Sequence, residues 1–297
     1  MSKTAERAAG LSAVPSTLLI PLAGRAFGDA VFPELAVGDA DAARVLAALG
    51  DDGALWQRDR ASVYGVLART RRFRDLAARF VAAHPAGHVV NLGCGLSNYR
   101  QWLDNGRMHM TDADLPEVLA IRRRLLPARG RRHRLCAVDL NAADWWADLG
   151  LPSAQDRHDA RAGRAGHAAA PLFLFAEGVL MYLAPARARA VLRTFGQRAP
   201  AGSTFAFDAM CWLVVGHARL HPSVRHTDAE FRWGPRTLDE LCADSPRLQL
   251  AAAHPIMQGY GWPYQLMEPA FQALLGVPLY AVYELRTGDA LGRGRRA

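Results

Sequence analysis

The sequence predicts an α/β fold: a parallel sheet with helices packed on both faces. Three observations lead there. From Ala61 onward, short apolar runs alternate with segments of helical spacing at short intervals, the pattern of strand–helix–strand units. The apolar run at residues 89–92 stops abruptly at Gly93 and Gly95, in "VVNLGCGLSNYRQWL", and glycines there allow a tight turn and a close approach to bare backbone. Acidic residues then stand where successive apolar runs end: Asp112 and Asp114 in "DAD", Asp139 in "AVDL" and Glu177 in "FAEG". Open α/β sheets bind ligands beyond the carboxyl ends of their strands.

Taken in order, residues 1–60 hold helix-like pieces interrupted by Pro21, Gly24, Gly28, Pro33 and Gly38, with no β pattern, and are expected to form a helical cap. The main domain is expected over residues 61–297, with an insertion after about residue 210. It opens on "SVYGVLARTRRFRDLAARFVAAH", where Val63, Val66, Leu67, Phe73, Leu76, Ala77 and Phe80 recur near helical spacing. "HVVNLG" reads as the first strand, "SNYRQWLDNG" as a helix, "RMHMTDAD" as the second strand and "PEVLAIRRRLL" as a helix with Pro116 in its first turn. The third strand "HRLCAVDL", a short helix "ADWWADLG", the fourth strand "PLFLFAEG", the helix "ARARAVLRTFGQRA" and the strand "STFAFDAM" follow. Residues 153–170 are polar, rich in Gly and Ala and without period, and are expected to form a surface loop. Beyond Cys211 the pattern weakens; "TLDELCADSPRL" predicts a helix and "PLYAVYELR" a closing strand.

Composition narrows the function classes. A chain of 297 residues, 51% apolar, buries a large core. No stretch supplies the roughly 18 to 20 uncharged apolar residues needed to span a bilayer. The opening residues, with Glu6 and a weak apolar patch near Leu18, do not read as a secretory signal, so a cytoplasmic location is expected. Cys94, Cys136, Cys211 and Cys242 are widely spaced and form no CxxC pair, which fits reduced thiols and no metal site. The net charge of +8 raises the possibility of a nucleic-acid partner. However, Lys3 is the single lysine, and the dense clusters "RTRRFRDLAARF" and "IRRRLLPARGRRHR" read as solvated helix faces, so no nucleic-acid partner is expected. The sequence does not define an oligomeric state.

The ligand class turns on phosphate. Dinucleotide folds carry GxGxxG, whose third glycine lets helix and strand pack around a pyrophosphate site. Here Gly95 is followed by Leu96, Ser97 and Asn98. The missing glycine favours a nucleoside ligand without pyrophosphate, of which S-adenosylmethionine is the common one. A carboxylate at Asp112 or Asp114, about 20 residues beyond the loop, can accept two hydrogen bonds from a ribose diol. Asp139 is placed to hold an adenine amino group, and Glu177 faces the same crevice.

The segments "VVNLGCG", "DADLPEVLAIRRRLLP", "AVDLNAADWW" and "FAEGVLMYLAPARARAVL" together resemble the leucine carboxyl methyltransferase-like family, and within it a bacterial branch of polyketide O-methyltransferases. The "EGVLMYL" block is the most specific of them. The resemblance implies a class I methyltransferase (Rossmann-like) fold, seven-stranded with one antiparallel strand near the edge, and a helical cap over an acceptor pocket. It implies Arg69 as partner of the cofactor's methionine carboxylate, Gly93 as the cofactor-loop glycine and Asp114 as the ribose acid. It further implies Asp139 and Leu140 as the adenine-binding pair, and Glu177 near the methionine amino group. The family usually continues the glycine loop with Asp-Thr, where this chain has Ser97 and Asn98.

The expected reaction is O-methylation of a small-molecule, polyketide-like acceptor, with a carboxylate slightly preferred over a phenol. A carboxylate needs no base; a phenol gains from a histidine. His217, His221 and His226 follow the fifth strand and Tyr182 follows Glu177, so His217, His221 and Tyr182 are the catalytic candidates. Trp212, Trp233, Tyr260, Trp262, Tyr264 and Phe271 are candidates for an apolar pocket wall. The alternatives are a methyltransferase acting on nucleic acid or on a protein C-terminal carboxyl group, and a nucleoside-binding protein without catalysis.

Overall fold

The structure is a computed structural model that describes residues 17–153 and 170–288. The expected polar loop falls outside the described residues except at Ser153 and Ala170, and so do residues 1–16 of the expected cap.

Seven strands form one sheet: β1 (His88–Leu92), β2 (His109–Asp114), β3 (His133–Ala137), β4 (Leu172–Ala176), β5 (Thr204–Met210), β6 (Leu248–Pro255) and β7 (Tyr280–Thr287). Their order is β3-β2-β1-β4-β5-β7-β6. The pairs among β1 to β5 are parallel, whereas β7 runs antiparallel to both β5 and β6. The strand order reverses between β1 and β4, and the crevice above such a reversal is where α/β sheets bind ligands. Every residue of β4 is buried, as its uninterrupted apolar run requires of a central strand covered on both faces.

Two apolar layers cover the sheet. One includes Trp145, Trp146, Leu192, Phe195 and Phe205; the other includes Phe73, Phe80, Phe173 and Phe175. The helices are α1 (Leu19–Val31), α2 (Ala42–Ala48), α3 (Ala54–Gln57), α4 (Arg60–Ala83), α5 (Arg100–Leu103), α6 (Pro116–Leu125), α7 (Trp145–Asp148), α8 (Pro185–Arg198) and α9 (Tyr264–Leu275). Asp59 caps α4 by accepting the Ser62 N–H at 3.1 Å, and the helix buries the predicted apolar stripe. Pro116 and Pro185 start α6 and α8.

Three local expectations are corrected, and two elements appear where none was expected. Gly24 and Gly28 do not break the first helix; α1 runs straight through both. They serve close packing, because a Cβ at Gly24 would meet Val66 of α4 at 2.8 Å and one at Gly28 would meet Leu67 at 2.8 Å. The "SNYRQWLDNG" helix shrinks to the single turn of α5. The segment expected to be helical around Leu238 forms only a 3-10 turn, Asp239–Leu241. Finally, β6 and α9 emerge from the region that lacked a clear pattern. β6 is an alanine-rich edge strand with an irregularity between Leu250 and Ala252, and α9 carries Pro269 inside it, so neither sends the periodic signal on which sequence reading depends.

Candidate active site

The site begins with a buried ion cluster at the β4–β5 strand ends. Arg69 projects from α4 and donates through Nε to Glu177 Oε1 at 3.0 Å, and through Nη1 to Asp208 Oδ2 at 3.3 Å and the Tyr280 hydroxyl at 3.1 Å. Glu177 Oε1 also accepts from Thr70 Oγ1 at 2.8 Å, and its Oε2 accepts from the Tyr99 hydroxyl at 2.6 Å. Asp208 is fully buried; it accepts from the Gly178 N–H at 2.6 Å and from the Tyr280 hydroxyl at 2.6 Å. Burial opposes the charge on Arg69, but Tyr280, Asp208 and Glu177 together hold it firmly protonated. Burial pushes the Asp208 carboxyl up, against the pull of Arg69 and the Gly178 amide. Two capacities remain: no hydrogen bond is recorded for Arg69 Nη2 among the described residues, and Glu177 Oε2 retains a lone pair.

A second buried network holds the glycine loop from beneath. Asp112, the neighbour of Asp114 on β2, accepts from Arg122 Nη2 at 2.6 Å, pairs with His133 Nε2 at 2.7 Å and accepts from Asn91 at 3.1 Å. Arg122 then donates through Nη1 to the carbonyls of Gly95 at 2.9 Å and Ser97 at 2.6 Å. Burial works against ionisation of Asp112, yet Arg122 and His133 keep its carboxyl below the ordinary range. Asp114 accepts the Gly95 N–H at 2.7 Å and the Leu115 N–H at 2.8 Å. Gly93 and Gly95 both have positive φ, 65° and 49°, so the turn itself requires them. Protein also lies against the bare backbone: a Cβ at Gly93 would overlap Val179, and one at Gly95 would approach Leu18 at 2.8 Å.

The N-terminal helices clamp this loop from above. Arg25 of α1 donates to the Leu96 carbonyl at 3.2 Å while paired with Asp39 at 2.9 Å. Ser97 and Asn98, where the family resemblance implies Asp-Thr, have local work. Ser97 Oγ closes on the Cys94 carbonyl at 2.8 Å, and Asn98 Nδ2 donates to Asp41 at 2.7 Å. The substituted pair therefore ties the loop to the residue that precedes α2.

From the loop and the Arg69 cluster a cavity of about 500 Å³ runs toward the segment after β5. Arg69, Gly93, Gly95, Glu177, Tyr182, His217 and His221 all border it. Asp114, Asp139, Leu140 and His226 do not. Asp114 sits just behind the loop that it holds. Asp139 is exposed and closes a turn by accepting the Asn141 N–H at 2.8 Å, and Leu140 packs into the core. Of the aromatic candidates, Tyr264 borders the cavity, whereas Trp233 is core, Trp262 is 74% exposed and Trp212 lies under Arg236. The aromatic wall is instead made by Tyr182, Phe231 and Tyr280, with the rings of Tyr182 and Phe231 stacked at 5.7 Å. Burial pushes the Tyr182 hydroxyl up to about 12, so it stays neutral.

Asp208, Tyr280, Tyr99 and Thr70 were not singled out from sequence. Asp208 carried the same signal as Glu177, an acid near the end of an apolar strand, in "FDAM". Tyr280 carried none: it begins β7, and only the reversal of that strand brings its start to the edge where the parallel strands end, opposite Met210.

A reversed seventh strand, a glycine turn after β1 and a charged cleft at the β1–β4 switch define a class I, S-adenosylmethionine-dependent methyltransferase. The chain belongs to the leucine carboxyl methyltransferase family, whose profile matches residues 16–196. It is 29% identical over 233 residues to the tetracenomycin polyketide synthesis O-methyltransferase TcmP of Streptomyces glaucescens, a match covering 77% of this chain and 79% of that one. Among solved structures, a DUF574 family protein from Streptomyces avermitilis shares the fold with a TM-score of 0.52 at 15% identity, covering 80% of this chain and 88% of that chain. A protein from Thermobifida fusca does so with a TM-score of 0.51 at 18% identity, covering 86% of this chain and 98% of that one.

Proposed function

We propose that this enzyme methylates an oxygen atom of a small, flat natural product of the polyketide kind. One observation carries the reading: a single cavity is lined both by the Arg69–Glu177 cluster and the glycine loop and by aromatic and apolar side chains. That shape accommodates a polar donor molecule and a hydrophobic acceptor in contact. The relationship to TcmP, a polyketide O-methyltransferase by name, supports the same acceptor class.

The residues present fit the cofactor. The Arg69 Nη2 group suits the methionine carboxylate, the remaining lone pair of Glu177 suits the methionine amine, and Asp114 retains acceptor capacity for a ribose hydroxyl. Asp139 and Leu140 lie outside the cavity, so their proposed contact with adenine requires the ligand to reach beyond its lining. When bound, the cofactor supplies an activated methyl group on a sulfonium, already attached to a good leaving group. The chain's own contribution is to hold and align. The buried Arg69 cluster fixes one end, the Asp112–Arg122 network keeps the loop carbonyls in place, and the apolar walls exclude water; alignment of this kind is worth up to ~7 to 11 kcal/mol in well-oriented systems. We further propose that residues 1–60 act as the lid over the acceptor, that nucleic acid is not a partner, and that the enzyme works in the cytoplasm; no helix among the described residues is long and apolar enough to cross a membrane.

The test is to incubate the protein with methyl-labelled S-adenosylmethionine and a panel of naphthol, anthraquinone and naphthoate acceptors. The expected outcome is label in a product heavier by one CH2. Label transferred to protein C-termini or to nucleic acid, with none on any small molecule, would refute the reading.

A further inference from the structure

Among the described residues, four glycines lie inside α-helices: Gly24 and Gly28 in α1, Gly65 in α4 and Gly196 in α8. Each makes its helix less stable than alanine would, so each needs a reason. Three have one in packing. A Cβ would meet Val66 at 2.8 Å from Gly24, Leu67 at 2.8 Å from Gly28 and Ser245 Oγ at 2.4 Å from Gly196. Gly65 has no such reason. Its φ is not positive, and a Cβ there would meet only Met257 Sδ at 3.4 Å and Tyr280 Cε1 at 3.9 Å, ordinary contacts with an adaptable thioether and a ring edge. Alanine would fit the fold at this position and strengthen the helix.

What Gly65 borders is the cavity, together with Met257 and Tyr280. The same helix lines it with Ala61, Ser62, Val66 and Arg69, and with the capping residue Asp59. Arg69 stands one turn beyond Gly65 on the same face, in the charged cluster proposed to hold the amino-acid part of the donor. In the other direction Asp59 accepts from Ser223 Oγ at 2.8 Å, which sets that end of the face against the segment after β5. Ser62 and Arg69 are about 10 Å apart along the helix axis, and Gly65 lies between them. There the cavity wall recedes by a whole side chain.

We propose that Gly65 selects the acceptor by ring size: its missing side chain opens a slot beside Met257 and Tyr280 that admits a fused aromatic ring. An unbranched thioether and a tyrosine ring are suited to contact with such a ring. A larger residue at position 65 fills the slot. The Arg69 cluster stays in place, because its own hydrogen bonds to Glu177, Asp208 and Tyr280 hold it. The inference rests on the methyltransferase reading, but its test can fail independently of that reading.

Calorimetry on the full-length protein, with and without S-adenosylhomocysteine, compares benzoate, 2-naphthoate and anthracene-2-carboxylate binding to wild type, Gly65→Ala and Gly65→Leu. Wild type is expected to bind the acids more tightly as rings are added. Gly65→Leu is expected to lose about tenfold or more on anthracene-2-carboxylate, the usual scale for an overfilled apolar site, while keeping its affinity for benzoate and S-adenosylhomocysteine. Gly65→Ala is expected to lose less and to raise the urea midpoint, because the helix gains where the fold has room. An unchanged or lowered midpoint would show that the fold itself requires the glycine, and would overturn the proposal. Equal losses on all three acids, a matching loss for S-adenosylhomocysteine, unchanged binding in Gly65→Leu, or no acid binding to wild type would each overturn it too. Should Gly65→Leu not fold, the midpoint and ring-size dependence of Gly65→Ala decide the matter. Wild-type protein that shows the Gly65-dependent acid binding but does not bind S-adenosylhomocysteine would count against the methyltransferase reading alone.

Discussion

Arg69 and Asp208 show how a charge is kept usable in a buried place. Removing one partner of a buried ion pair typically costs about 3 to 5 kcal/mol, because the other charge is left unmatched. Asp208 is fully buried and Arg69 has Glu177 as a second partner, so Asp208→Ala is expected to lose about 3 kcal/mol, read as a lowered urea midpoint. Tyr280→Phe removes one donor to Asp208 and is expected to lose about 1 kcal/mol. A stable Asp208→Ala protein with an unchanged midpoint would show that the cluster is not under the strain of burial that its geometry implies. Glu177 stood out in the sequence as an acid where an apolar run ends, whereas Arg69 was named only through the family resemblance. The two basic clusters, read as solvated faces, each also send one arginine inward, Arg69 and Arg122; composition cannot tell which member of a charge run turns in.

At the scale of elements, the junction of α1 with α4 depends on two small residues one helical turn apart. Gly24→Val would place side-chain atoms against Val66, where a Cβ alone already meets it at 2.8 Å. The expected loss is about 1 to 3 kcal/mol, measured by thermal or urea unfolding; a stable variant would mean that α1 is free to shift. The pairing of β1 with β2 carries a pH prediction. His88 at the start of β1 lies 2.8 Å from Thr111 Oγ1, and burial, with Arg134 and His109 nearby, lowers its pKa from 6.5 to about 4. As pH falls the unfolded chain takes up this proton first. The folded state therefore loses stability from about pH 6.5 down to about pH 4, by up to about 3 kcal/mol. In His88→Gln that portion of the acid loss is expected to vanish from urea midpoints taken at pH 7.5 and 5. An identical drop in the variant would assign it to other groups. Long elements with clean periods, α4, α8 and the strands of the parallel half, were legible in sequence. The edge strand β6 and helix α9 were not, because alanines and an internal proline erase the alternation that marks such elements.

For the whole molecule, the switch between β1 and β4 sets where the site lies, and the reversed β7 completes it with Tyr280. The parallel half and its acidic strand ends were readable from residue types alone; the reversal was implied only by the family resemblance. The N-terminal helices join the same construction through an apolar cluster of Leu22, Trp56 and Leu96, and through the Arg25 contact with the glycine loop. Deleting residues 1–58 is accordingly expected to abolish methyl transfer while leaving weakened cofactor binding, and transfer at the wild-type rate would exclude a lid. The central claim is that S-adenosylmethionine binds at the β1–β4 crevice with its amino-acid end on Arg69. Calorimetry of wild type and Arg69→Ala with S-adenosylhomocysteine and with adenosine tests it most directly, because adenosine lacks the carboxylate. The account predicts a loss of about tenfold or more for S-adenosylhomocysteine, the worth of one charge-assisted hydrogen bond, and little change for adenosine. Equal losses for both ligands, or none for either, would contradict it.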